Sequence, residues 1–117
     1  IGATLLPLER IVSAVGSLRG VTIASHIDRQ AFSLIGQLGF IPEGLSLDGL
    51  EISPRTSEVE AQKRFHAYRH YSFVRFSDAH QLEDIGRNIT HFLLKETTSE
   101  EVRKALHHQE GRRVVEQ

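Results

Sequence analysis

The chain alternates between helical and strand-like hydrophobic patterns along most of its length, and that alternation restricts what it can fold into. Leu8, Ile11, Val12, Val15 and Leu18 recur at helical spacing, with Pro7 suited to a first turn and Gly20 to the stop. A β-prone run over residues 21–24 follows and ends at Ser25 and His26. Phe32, Ile35 and Leu38 then mark a short helix closed by Gly39, and Pro42, Gly44 and Asp48 belong to a loop. A brief strand over 50–52 leads through Ser53 and Pro54 to a polar-faced helix over 59–68. The third strand covers 71–76 and ends at Ser77-Asp78-Ala79-His80. A turn at 82–85 and Gly86 precede a fourth apolar run at 89–94, from which His91 would alternate outward. Thr98 and Glu101 form a capping box for a last helix reaching about His107, and the tail from Gln109 onward is expected to fray.

Strands alternating with helices favour a single α/β domain, residues 1–117, with a mainly parallel sheet and right-handed crossovers. The 117 residues suit one modest core, and 39% hydrophobic with 25% charged residues argues against disorder. A net charge of -1 without a basic run leaves no electrostatic footprint for nucleic acid. The absence of cysteine excludes disulfides, thiolate metal sites and a cysteine nucleophile together. No apolar stretch is long enough to span a membrane and no signal-peptide layout opens the chain, so a cytoplasmic location is the expectation. No methionine occurs even at position 1, which suggests that Ile1 is not a natural start.

In parallel α/β folds the reactive groups gather just past the carboxyl ends of strands. His26 follows the first predicted strand, and Asp78 and His80 follow the third. On an extended chain, side chains at i and i+2 leave one face, so Asp78 and His80 can enter one cavity. A carboxylate with an imidazole suits zinc, manganese or iron. The plainer reading is an aspartate that starts a turn or caps a short helix, beside solvated or packed histidines. His66 and His70 stand at i and i+4 and could share a helix face, but without the glutamate of a metalloprotease signature. His107 and His108 fall in the last helical turn, where the dipole favours a cationic ring.

The segment Val21-Thr22-Ile23-Ala24-Ser25-His26-Ile27-Asp28-Arg29 resembles the third motif of the polymerase and histidinol phosphatase (PHP) superfamily. Ser77-Asp78-Ala79-His80 with the following Leu82-Glu83-Asp84-Ile85-Gly86 resembles the fourth. The stretches Phe32 to Ile35, Leu38 to Pro42 and Leu50 to Ser53 resemble one branch of that family, so the likeness runs from about Leu5 to Leu106.

The resemblance implies the C-terminal part of a distorted βα barrel and a metal-dependent phosphoesterase. His26, Asp78 and His80 would be metal ligands serving different divalent ions (zinc, manganese or iron), and Arg29 would hold the substrate phosphate as a guanidinium fork. Metal-activated water would then attack phosphorus, and no protein nucleophile is needed. Asp28 is expected as a local turn residue and Ser77 as a shaper of its turn. The substrate implied for the parent is a phosphorylated small molecule or a nucleotide.

The chain departs from that family pattern. It contains no His-x-His, the motif that supplies the family's first ligands, and it is too short to close a barrel. Phe76 also stands where a small residue is expected. The expectation is therefore a fragment with little or no phosphatase activity alone, whose uncovered edges favour homo-oligomers. The alternative is a non-catalytic regulatory or interaction module that keeps the fold. A generic nucleotide-binding domain ranks below both, since no glycine-rich phosphate loop is present.

Overall fold

A computed structural model describes residues 4–115. The first helix, α1 (Leu8–Ser17), leads to β1 (Ile23–Ala24), α2 (Leu34–Leu38) and β2 (Gly49–Glu51). Then come α3 (Glu58–Arg64), a 3-10 turn (His66–Tyr68) and β3 (Ser72–Val74). A second 3-10 turn (Leu82–Asp84), β4 (His91–Leu93), α4 (Ser99–Leu106) and β5 (Arg113–Val115) complete the order. Strands β1, β2 and β3 form a parallel sheet in that order, with Ile23 opposite Gly49 and Leu50 opposite Phe73. The α/β expectation with a parallel sheet therefore holds at the level of these three strands.

Burial follows the sheet. Leu50, Ile52 and Val74 are almost fully enclosed, together with Ile27, Phe65 and Leu106. Central strand β2 is covered on both faces, so all three of its residues are buried, the Glu51 carboxylate included. Gly49 lets α4 approach closely, since a Cβ there would lie 3.1 Å from the Leu106 side chain. The opposite, amino end of the sheet is tied by Asp48, which accepts from the Thr22 N–H at 2.7 Å and contacts His107 Nε2 at 2.9 Å.

Local details differ from the sequence reading in five places. Helix α2 starts at Leu34, because the Ser33 hydroxyl caps it by accepting from Gly36 N. Phe32 thus falls outside the helix and is 91% exposed, not part of its apolar face. Helix α3 ends at Arg64 and gives way to the 3-10 turn, so His66 and His70 do not share a helix face. His66 instead contacts Arg69, and His70 lies against the Tyr71 ring.

The fourth apolar run forms β4, but it pairs antiparallel with β5, apart from the parallel sheet. The segment from Gln109, read as a fraying tail, supplies β5 as far as Val115, while residues 116 and 117 lie outside the described residues. Two contacts hold it: Arg112 Nε donates to Glu101 at 2.7 Å, and Lys104 Nζ donates to Glu110 at 3.0 Å. Thr98 caps α4 as expected, but Glu101 reaches the Lys95 N–H rather than closing the capping box on Thr98.

Candidate functional site

Three adjacent parallel strands deliver polar groups at their carboxyl ends. His26 stands in the turn two residues after β1, Glu51 is the last residue of β2, and Asp78 lies in the segment after β3. Glu51 is the organising group. Its carboxylate accepts from the His26 backbone N–H at 3.2 Å, and its carbonyl accepts from Ile27 N at 2.9 Å. Burial pushes the Glu51 carboxyl above its ordinary range. The charge of Asp78 adds to that, whereas the His26 N–H, His26 itself and Arg29 pull the other way. Asp78, His26 and Arg29 thus lie close enough to one buried carboxylate to act on it electrostatically.

Arg29 joins the first and third strand ends. Its Nη1 donates to Asp78 Oδ2 at 2.8 Å, and its Nε is buried without a hydrogen-bond partner. Both His26 and Asp78 have backbone φ in the left-handed region, at 27° and 48°. That conformation costs a residue with a Cβ roughly 1–2 kcal/mol, so the surrounding contacts hold both in place.

The expected ligands are only partly assembled. The Nδ1 of His26 is buried and has no hydrogen-bond partner, which is the state of an imidazole nitrogen that an ion would satisfy. Asp78 is engaged by Arg29. His80 is exposed, and its Nδ1 lies 2.8 Å from the carbonyl of Asp78, within its own turn. Among the described residues, no three His, Asp or Glu side chains are gathered as a metal-binding group. The donor types suit a divalent ion, and His26 presents a buried nitrogen without a partner.

Asp28 does more than shape a turn. Its carboxylate accepts from Ser53 N at 2.8 Å, Ser53 Oγ at 2.5 Å and Thr56 Oγ1 at 2.8 Å. Burial alone would raise its pKa, but the hydrogen bonds from Ser53 and Thr56 outweigh it and the pKa is lowered. Arg75 braces the same loop by donating to the carbonyls of Ser53 and Thr56 at 2.9 and 2.8 Å. Ser77 does shape its turn: its hydroxyl donates to Asn88 O and accepts from Gly86 N.

Sequence reasoning passed over Glu51 and underrated Asp28. The signal for Glu51 was a lone carboxylate between Leu50 and Ile52, an expensive group to bury without a task.

No protein-family model and no curated protein matches the chain. The fold is similar to that of the lesion-specific endonuclease PfuEndoQ from Pyrococcus furiosus, with a TM-score of 0.77 and 24% sequence identity. That likeness covers 93% of this chain and 28% of the endonuclease chain, so the present chain spans little more than a quarter of its neighbour's length. At this identity the likeness establishes a shared fold.

Proposed function

We propose that this chain is the C-terminal share of a metal-dependent phosphoesterase of the PHP type, built on part of a βα barrel. The observation that carries the reading is the buried, unpartnered Nδ1 of His26 beside Glu51, Arg29 and Asp78 at three neighbouring strand ends. The two PHP-like motifs supply His26, Asp78 and His80, and the shared fold of an endonuclease is consistent with a phosphoester-cleaving parent.

In this reading His26, Asp78 and His80 hold divalent ions together with donors from outside these 117 residues. When bound, such an ion supplies Lewis acidity and a water of lowered pKa. The chain's own residues do the rest. Glu51 fixes the His26 turn through the backbone N–H and the Ile27 hydrogen bond. Arg29 orients the substrate phosphate with the guanidinium edge that Asp78 leaves free. Strands β1 and β3 each pair on one side only within the parallel sheet, which supports association with a second copy.

A second reading, a module that keeps the fold without catalysis, is favoured by one contact: Arg29 occupies the Asp78 carboxylate. Calorimetric titration of the chain with manganese and zinc separates the two. The phosphoesterase reading expects saturable binding, weakened about tenfold or more in His26→Ala and Asp78→Ala. Binding unchanged in both variants, or none at all, favours the module. The isolated chain should also show little or no turnover of a generic phosphate ester, and robust turnover would contradict the shared-site reading.

A further inference from the structure

Strand β3 ends the parallel sheet on one side, and its outer edge is only half finished. Ile52 N donates to Val74 O at 2.9 Å, so the Val74 backbone faces β2. Backbone groups alternate along a strand, which turns the N–H and C=O of Phe73 and Arg75 away from β2. At Arg75 that side is satisfied: the Thr90 hydroxyl accepts from Arg75 N at 2.8 Å and donates to Arg75 O at 2.7 Å. At Phe73 no backbone or side-chain group among the described residues takes either one. An open donor and acceptor on a sheet edge form a template for another strand. The sheet's other edge strand, β1, is only two residues long.

Two cavities flank Phe73 along this edge. The one toward the carboxyl end measures about 60 Å³, and its lining is mainly apolar, with Ile52, Ala61, Val74, Ile89 and Val115. Ile89 and Val115 remain exposed there. The one toward the amino end measures about 350 Å³ and is polar, with His66, Arg69, Tyr71 and His108 in its lining. Glu58, the first residue of α3, lines both cavities, whereas Arg69 and His66 line only the second. Along the edge, the carboxylate therefore stands on the carboxyl side of the guanidinium. Both Glu58 and Arg69 are exposed. Among the described residues, the Glu58 side chain meets only Gln62 of its own helix, and the Arg69 side chain only His66.

A second copy completes this edge by symmetry. In an antiparallel pair, two directly opposed residues can exchange both of their N–H and C=O groups. With Phe73 opposite its counterpart, a two-fold axis passes between them and the open groups of both copies are satisfied. The same axis lays α3 antiparallel to its counterpart, so Glu58 of one copy approaches Arg69 of the other, twice. Such an isologous contact closes at two copies. A strand from an unrelated polypeptide could also satisfy Phe73, but nothing would match it to the order of charge along the edge.

We infer that the outer edge of β3 is a dimer interface, in which two copies pair antiparallel through Phe73 with Glu58 and Arg69 setting the register. The inference rests on the open-edge part of the proposed function and not on its metal site.

Sedimentation equilibrium of the whole chain in EDTA, over a series of concentrations, should show a monomer–dimer equilibrium. Glu58→Arg and Arg69→Glu should each weaken the dimer about tenfold or more, because the axis turns one reversal into two like-charge contacts. Combining Glu58→Arg with Arg69→Glu exchanges the charges and should restore the natural affinity. Both side chains are exposed, and circular dichroism checks that each variant keeps the fold. Hydrogen exchange at the Phe73 amide, read by NMR, should slow as the dimer fills.

A monomer at every concentration, with a fast-exchanging Phe73 amide, would overturn the inference and leave the edge to a strand of another polypeptide. A dimer that both single reversals leave unchanged would overturn it as well, since another surface then joins the copies. Failure of the charge exchange to restore dimerisation counts against it in the same way. Manganese titration of the same samples separates the two proposals. A monomer that binds manganese sinks the dimer alone; a dimer that binds none sinks the metal reading alone.

Discussion

The Arg29 guanidinium stands 2.8 Å from the Asp78 carboxylate and so ties the turn after β1 to the segment after β3, across the end of β2. Both side chains are about one-third exposed, at 35% and 31%. A pair this wet contributes roughly 0–1 kcal/mol, so its value is positional. Asp78→Asn should therefore change unfolding stability by less than about 1 kcal/mol in urea titration. The same variant should lose divalent-metal binding measured in parallel.

Asp28 is expected to matter more for stability than either of those residues. Its carboxylate receives three donors from the loop after β2. Hydrogen bonds to a charged group contribute about 1.5–3 kcal/mol, and the donors would be left without their acceptor. Asp28→Ala should lower the free energy of unfolding by about that amount, read from the urea midpoint at unchanged m-value.

Gly36 offers a test of the close packing between α2 and the turn after β1, from a position that carries no polar side chain. An added Cβ would collide with the Gln30 carbonyl oxygen at 2.0 Å, and backbone must shift to relieve it. Gly36→Ala should cost about 1–3 kcal/mol, the usual size of an overpacking strain. A lowered urea midpoint at unchanged m-value would show that cost.

Glu101 governs the acid limit of the C-terminal segment. Hydrogen bonds from Arg112, and then from the Lys95 N–H, hold its carboxyl down at about 2. A carboxyl lowered in the folded state stabilises fully above the ordinary glutamate range, and that contribution is lost as pH falls toward about 2. Circular dichroism melts of the natural chain should therefore show Tm dropping through that window. Glu101→Gln should flatten the dependence and start from a lower Tm at neutral pH.

What the sequence could reveal depended on whether local pattern or tertiary contact decides each feature. The helix stops and caps were legible: Thr98 before α4 and Gly39 after α2 act through their own backbone, and both stand where expected. The parallel sheet was legible because strand and helix patterns alternate. Strand β5 was not, since Val114 and Val115 are an unremarkable pair until Arg112 finds Glu101 eleven residues back. The position of Phe32 was misjudged because its spacing to Ile35 fits a helix face, while the Ser33 cap starts the helix two residues too late to include it.

The candidate site divides the same way. His26 and Asp78 stood out by their place after strands and by motif likeness, Arg29 by motif likeness alone, and the fold brings Arg29 to Asp78. His80, two residues on from Asp78, was expected to share its direction. The left-handed backbone at Asp78 breaks the extended geometry that this expectation needs, and the His80 ring turns to its own turn's carbonyl. Glu51 emerges from burial and from its hydrogen bond to a residue 25 positions away, which periodicity does not encode.

The most direct test follows the His26 ring during a zinc titration by nitrogen NMR on histidine-labelled protein. The account predicts that the Nδ1 resonance of His26 shifts saturably on zinc addition, and that the shift disappears in Asp78→Ala. A silent His26 beside zinc-responsive exposed histidines such as His80 or His107 would contradict it.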